Sequence, residues 1–250
     1  MKKGMIAMTV ATVLVFAGVS GFAAEPQGWK FELTPYLWYA GIEGDVTVKG
    51  QKIDFEKSAS DLVDYVEAGG SLLGVVQYNR LLFWGQVDYF SLSTDALDVE
   101  DQPKGGSLDT DMLLWEYAMG YQIDGFWEGQ TIDLMVGIRT LRQENDLKVF
   151  GKGTISTDDT ISDPIFVVRP SFPLFPSKIK GLRFNPTLAI GGGGDADLVY
   201  ELFPQFQYQI TDNIAARLGY RTVGYKFSDD NDNELNFRMA GLIAGVGVMF

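Results

Sequence analysis

The chain has 250 residues, 33 of them acidic and 20 basic, a formal net charge of -13, and neither cysteine nor histidine. These counts exclude a disulfide framework, zinc sites of the Cys/His kind, haem on an axial His or Cys, and any Ser-His or Cys-His dyad. The acidic balance also excludes a basic footprint for nucleic acid, and no cofactor is implied.

At 46% hydrophobic, with a mean hydropathy of +0.02, the chain is too apolar for disorder and too polar for a helical membrane bundle. Its 29 Gly, 17 Phe, 11 Tyr and 5 Trp suit an all-β chain, soluble or embedded in a membrane.

The first segment reads as an address. Lys2 and Lys3 precede an apolar stretch over 5–19, and Gly21 and Ala23 place small residues at -3 and -1 of a cleavage point. This is the pattern of a secretory signal peptide over 1–23, leaving 24–250 as a single domain. An N-terminal membrane anchor is the alternative, but Gly18, Ser20 and Gly21 soften the end of a stretch that would need about 20 apolar residues.

Beyond it, every long apolar stretch is interrupted within about a dozen positions, short of a helical span. Alternation takes its place. Over 198–210 the even positions are Leu198, Tyr200, Leu202, Pro204, Phe206, Tyr208 and Ile210, while Glu201, Gln205, Gln207 and Gln209 fall on the odd ones. A strand sends successive side chains to opposite faces, so this is a two-faced strand. The same register recurs around Trp115, Tyr117 and Met119, around Ile132, Leu134 and Val136, and around Leu218 and Tyr220.

Ten such segments are expected, at roughly 29–41, 69–79, 81–93, 110–123, 131–144, 163–175, 182–191, 198–210, 213–227 and 234–250; eight or twelve strands are the alternatives. Short connections such as Asn79-Arg80 and Thr211-Asp212 alternate with longer ones at 42–68, 94–109 and 145–162. Pro170 and Pro173 make the sixth strand irregular, since proline removes a ladder donor. Apolar faces with aromatics near strand ends, an even strand count and alternating loop lengths together predict a transmembrane antiparallel up-and-down β-barrel. A secreted sandwich is the competing arrangement. The last strand presents Leu242, Ala244, Val246, Val248 and Phe250 on its lipid side.

Five stretches carry a resemblance: FELTPYLWYAGIEGDVTV, SASDLVDYVEAGGSLLGVVQYNRLLFWGQVDYFSLS, LLWEYAMGYQI, DLMVGIRTL, and ARLGYRTVGYKF with the ending GLIAGVGVMF. The chain is similar to small bacterial outer-membrane β-barrel proteins, a group largely without assigned activity. The resemblance implies an outer-membrane location and a porin-like or OmpA-like barrel, and transfers no active-site residue. The expected partners are outer-membrane lipid and lipopolysaccharide, and the envelope barrel-assembly machinery through the C-terminal strand.

On this register the inward charges are Lys30, Glu32, Asp88, Glu116, Asp133, Arg139, Arg169, Arg183, Glu201, Arg217 and Arg221. Unpaired buried charge is costly, so near-neutral bookkeeping implies paired networks that fill the barrel. Glu116 is expected near Arg139, and Glu201 near Arg217 or Arg221. A barrel of about eight strands is just filled by side chains, whereas aqueous pores need about sixteen. A structural or narrow porin-like role follows. An adhesin or receptor acting through the acidic loops, and a narrow transporter for small or cationic solutes, are the alternatives.

Acid concentrates in the longer loops, around 229–234, Asp158-Asp159 and Asp109-Thr110-Asp111. These runs lack EF-hand spacing, since Leu235 stands where the glycine belongs, and no metal site is expected. A short capped helix is expected within 58–67, with Ser60 or Asp61 as N-cap and Leu62, Val63 and Val66 against the rim. Enzymatic activity is not expected, because a serine-histidine lipid hydrolase needs the missing histidine and no second feature marks a carboxylate protease.

Overall fold

The computed structural model describes residues 28–48, 51–97, 106–149, 153–228 and 234–250. The expected signal peptide and most of the acidic run at 229–234 lie outside these residues. The strands are β1 (Trp29–Val48), β2 (Gln51–Lys57), β3 (Val66–Tyr78), β4 (Leu81–Leu97), β5 (Gly106–Asp124), β6 (Thr131–Val149), β7 (Gly153–Pro173), β8 (Leu182–Phe184), β9 (Thr187–Gly191), β10 (Leu198–Phe203), β11 (Gln205–Gln209), β12 (Ile214–Ser228) and β13 (Glu234–Met249). A single short helix, α1 (Ala59–Val63), sits between β2 and β3 among the described residues. No helix among them is long and apolar enough to cross a membrane.

Each strand pairs antiparallel with its neighbours, and the sheet closes on itself where β1 meets β13. The seam is completed by Phe31 and Phe250, whose backbones exchange hydrogen bonds of 3.1 and 2.9 Å. The pairs β8/β9 and β10/β11 are each two halves of one stave, and β2 stands off the ring against the upper part of β1. The ring therefore has ten staves. Closure leaves no unpaired edge in the ring, the condition for a sheet to cross hydrocarbon.

Faces alternate as the sequence predicts. On β5, Tyr117, Met119 and Tyr121 are exposed, while Met112, Leu114, Glu116 and Ala118 are buried. On β13, Leu242, Val246 and Phe250 face outward, and Met239 and Ile243 lie inside. By register Trp29, Tyr78, Leu81 and Tyr121 form one row at the short-turn end. All four are exposed, as an interfacial aromatic girdle requires. Outward on β6, the apolar series Ile132, Leu134, Val136, Ile138 gives way to the exposed charges Arg142 and Glu144.

Two local expectations are corrected. Strands β5, β6 and β7 run unbroken well past the apolar band, so most of 106–109, 145–149 and 153–162 is paired ladder rather than loop. The irregularity expected at Pro170 and Pro173 falls instead in the next two staves. Strand β7 continues through both prolines, whereas β8/β9 breaks at Pro186 and β10/β11 at Pro204. The register explains the shift: Pro170 stands opposite Pro186, and Pro186 opposite Pro204. Three adjacent staves thus lack N–H donors at one height, and the ladder opens there.

The helix also differs from expectation. Its N-cap is Ser58, whose Oγ accepts from the Asp61 N–H, while the Asp61 carboxylate accepts from the Ser58 N–H, a reciprocal capping box. None of its residues is buried; Val63 and Val66 are exposed rather than packed on the rim.

Candidate functional site: the filled lumen

Five of the expected inward charges converge at mid-barrel. Glu116 on β5 and Arg139 on β6 are cross-strand neighbours in register, and Arg139 Nη2 donates to Glu116 Oε2 at 2.5 Å. The same Arg139 nitrogen also donates to Glu201 on β10. Arg221 on β12 donates to Asp88 at 2.6 Å, to Glu116 at 2.9 Å and to Glu201 at 3.1 Å. The Arg139, Arg221, Glu116 and Glu201 side chains have no solvent exposure. Two guanidiniums thus tie three carboxylates across the lumen, which is the paired network that burial of charge demands.

Neutral side chains finish this belt. Tyr36 donates to Asp88 at 2.6 Å. Gln86 fits with its amide oxygen turned to Arg221, accepting from Nη2 at 2.6 Å and Nη1 at 2.7 Å. The Arg221 guanidinium lies 4.6 Å from the centre of the Trp38 ring, a cation–π contact in a dry interior. None of Tyr36, Trp38 or Gln86 was anticipated, although Tyr36 and Trp38 continue the even-numbered face that carries Glu32.

Above the belt the lumen turns apolar and aromatic. Tyr225 and Phe237 stack at 5.1 Å, Phe227 lies parallel to both, and Trp38 meets Phe90 edge-on at 5.8 Å. This layer departs from the charge-filled interior the sequence suggested. Asp163, absent from the expected set, is fully buried beside it and holds the β9–β10 hairpin by accepting from the N–H groups of Gly194 and Ala196, both at 3.0 Å.

Below the belt lie the remaining inward charges. Arg217 pairs with Glu32, not with Glu201, because it stands four residues nearer the short-turn end of β12 than Arg221. Asp133 is buried and accepts from Gln122 Nε2 at 2.8 Å. Arg169 lies over Trp84, 5.7 Å from its ring centre. Arg183 stays at the mouth, donating to Ser171 Oγ at 2.7 Å and to the Gly129 carbonyl at 2.9 Å. Lys30 is exposed and joins no network among the described residues.

Outside the ring, the β1–β2 hairpin borders a groove of about 500 Å³ lined by Glu43, Asp45, Tyr200, Lys226 and Arg238, in which Arg238 pairs with Glu43. The acidic runs lie along extended strands: Asp158 and Asp159 point to opposite faces, and Asp109 and Asp111 share one face, where they accept from the Ser93 and Tyr89 hydroxyls. Among the described residues no group of three or more acidic side chains is placed to hold a metal ion.

A closed ten-stave antiparallel ring, an apolar aromatic-girdled exterior and a charge-paired interior define a transmembrane β-barrel. Comparison with solved structures places the chain on the same ground. The outer-membrane protease OmpT of Escherichia coli superposes with a TM-score of 0.57 at 10% identity, over 91% of this chain and 98% of that one. Ail, the attachment invasion locus protein of Yersinia pestis, aligns over 89% and 99% at 12% identity, with a TM-score of 0.39. The toluene transporter TodX of Pseudomonas putida aligns over 90% of each chain at 9% identity, with a TM-score of 0.31. Only the first superposes closely enough to bear on the fold, and at that identity it speaks for the fold alone. No family model matches the chain, and no curated protein does.

Proposed function

We propose that this chain is an exported, non-enzymatic outer-membrane barrel with a structural or narrow porin-like role, its lumen closed by the charged belt. One observation carries the reading: Arg139 and Arg221, both without solvent exposure, bridge Asp88, Glu116 and Glu201 across the interior. An open ion path needs hydrated walls, whereas these side chains spend their hydrogen bonds on one another and lie beneath an aromatic layer. Reconstitution in planar bilayers tests it. The expected trace shows no stable open level; a steady conductance proportional to salt overturns the reading. Lipid and lipopolysaccharide are the proposed surroundings, and the outward C-terminal strand ending at Phe250 the proposed mark for barrel assembly. A hydrolysis screen on lipid and peptide substrates tests the non-enzymatic part.

A second reading has its own support. Strands β5, β6 and β7 continue beyond the apolar band and carry exposed Asp111, Glu144, Asp146 and Asp158. This raised sheet suits a surface receptor or adhesin. Shortening the β6–β7 hairpin while the barrel stays folded should abolish cell-surface interactions under that reading and leave them unchanged under the first.

A further inference from the structure

The layer below the belt is built from donors. Arg169 forms no hydrogen bond among the described residues, and its buried Nη1 has no partner. Arg217 donates from Nη1 to Gln205 Oε1 at 3.1 Å and from Nη2 to Glu32, yet its Nε is unpartnered. The Gln205 Nε2 and the Trp84 indole nitrogen are unpartnered too. Arg217, Gln205 and Trp84 are each more than nine-tenths buried, at 5%, 1% and 2% exposure.

The carboxylates of this layer hold other donors, each through one oxygen, Glu32 Oε1 and Asp133 Oδ1. Glu32 takes the Arg217 guanidinium and the Thr34 hydroxyl. Asp133 stands in register with Arg169 across β6 and β7, but it accepts from Gln122 and makes no ion pair with the arginine. The carboxylates of the belt are held by Arg139 and Arg221. Meanwhile the charge of Arg169 bears on Arg217 with like sign. Two guanidiniums with idle N–H groups in one layer repel one another unless something negative lies between them. Water offers these donors one oxygen and brings two hydrogens that gain nothing from idle N–H groups. An oxyanion brings acceptors only.

We propose that the lower lumen is a binding site for a small tetrahedral oxyanion, of the phosphate or sulfate class, held between Arg169 and Arg217 with Gln205 Nε2 as a neutral donor. Glu32 keeps 16% side-chain exposure beside the site, and Lys30 is exposed beyond it, so the chamber opens toward the short-turn end. That end is periplasmic in barrels of this kind. The belt forms its roof. Access to the site is therefore from one side, and binding does not depend on whether the belt conducts.

The test is calorimetric titration of sulfate, and separately of inorganic phosphate, into the whole barrel in zwitterionic detergent free of other oxyanions. One saturable site is expected. Arg169→Gln should weaken it by about tenfold or more, the loss of one charge-assisted contact. Arg169 makes no hydrogen bond that the fold relies on, so this variant tests the site even if Arg217→Gln does not fold. Arg183→Gln, at the mouth, should bind as the parent does. Absence of saturable binding would mean a water-filled chamber only, and would overturn the proposal. Equal affinity in Arg169→Gln, or equal loss in Arg183→Gln, would also overturn it by moving binding elsewhere. Bilayer conductance reads the proposed closure independently, so failure of one leaves the other intact.

Discussion

Arg221 on β12 reaches Asp88 on β4 at 2.6 Å, although four steps around a ten-stave ring separate their strands. A contact of that span crosses the lumen, and it makes the barrel's interior a single bonded layer. Removing Arg221 as Arg221→Met leaves Glu116 and Glu201 to Arg139 alone and strips Asp88 of its arginine. The expected cost is about 3–5 kcal/mol, the scale for breaking a buried ion network from one side. Denaturant unfolding in lipid vesicles measures it.

Glu116→Gln acts on the same layer in the opposite electrostatic sense. The belt holds one more carboxylate than guanidinium, so neutralising Glu116 balances its formal charge while leaving one acceptor oxygen. The remaining cost is an amide N–H₂ facing an arginine, about 1–3 kcal/mol. The prediction is an order: Glu116→Gln loses clearly less than Arg221→Met in the same unfolding measurement. Equal losses would mean that packing, not charge, sets the stability of the layer.

Val136 tests the exterior. It is 61% exposed and sits within the outward apolar series from Ile132 to Ile138 on β6. Val136→Arg should cost about 2–4 kcal/mol in a bilayer, as charge at mid-depth does, and much less in a short-chain detergent that closes around the side chain. A substitution tolerated equally in both would place that face outside hydrocarbon.

The ring and its faces were legible in the sequence because a period of two is read directly from side-chain type: Tyr117 and Met119 against Glu116 and Ala118. The partnership of Glu116 with Arg139 was legible too, since one hairpin sets their register. What escaped were relations across several staves. Arg139 with Glu201, Arg221 with Asp88, and the choice of Glu32 by Arg217 depend on how the strands stagger around the ring, and no local pattern encodes that stagger. The prolines show the same limit. Pro170, Pro186 and Pro204 each look like an isolated defect along the chain, and only pairing across strands puts them in one row. The aromatic upper lumen escaped because the inward set was drawn from charges, whereas Trp38, Phe90 and Phe237 meet only across strands.

The outer helix gives a pH prediction whose sign is fixed by its cap. Asp61 lies beyond the barrel wall, and its carboxylate accepts from the Ser58 hydroxyl at 2.6 Å and from the Ser58 N–H at 3.1 Å. These bonds favour the charged form and hold Asp61 below the usual carboxylate range. A carboxyl depressed in the folded state stabilises above its unfolded pKa, and the contribution is lost as pH falls through the folded value. The helix at Ala59–Val63 should therefore hold its structure at neutral pH and fray only in strong acid. Ser58→Ala removes the hydroxyl, so Asp61 should titrate at higher pH and α1 should fray earlier on acidification. Carboxyl chemical shifts of Asp61, followed by NMR through an acid titration of both proteins in micelles, read both effects at once. Coincident titration curves would mean that the capping box does not form in solution.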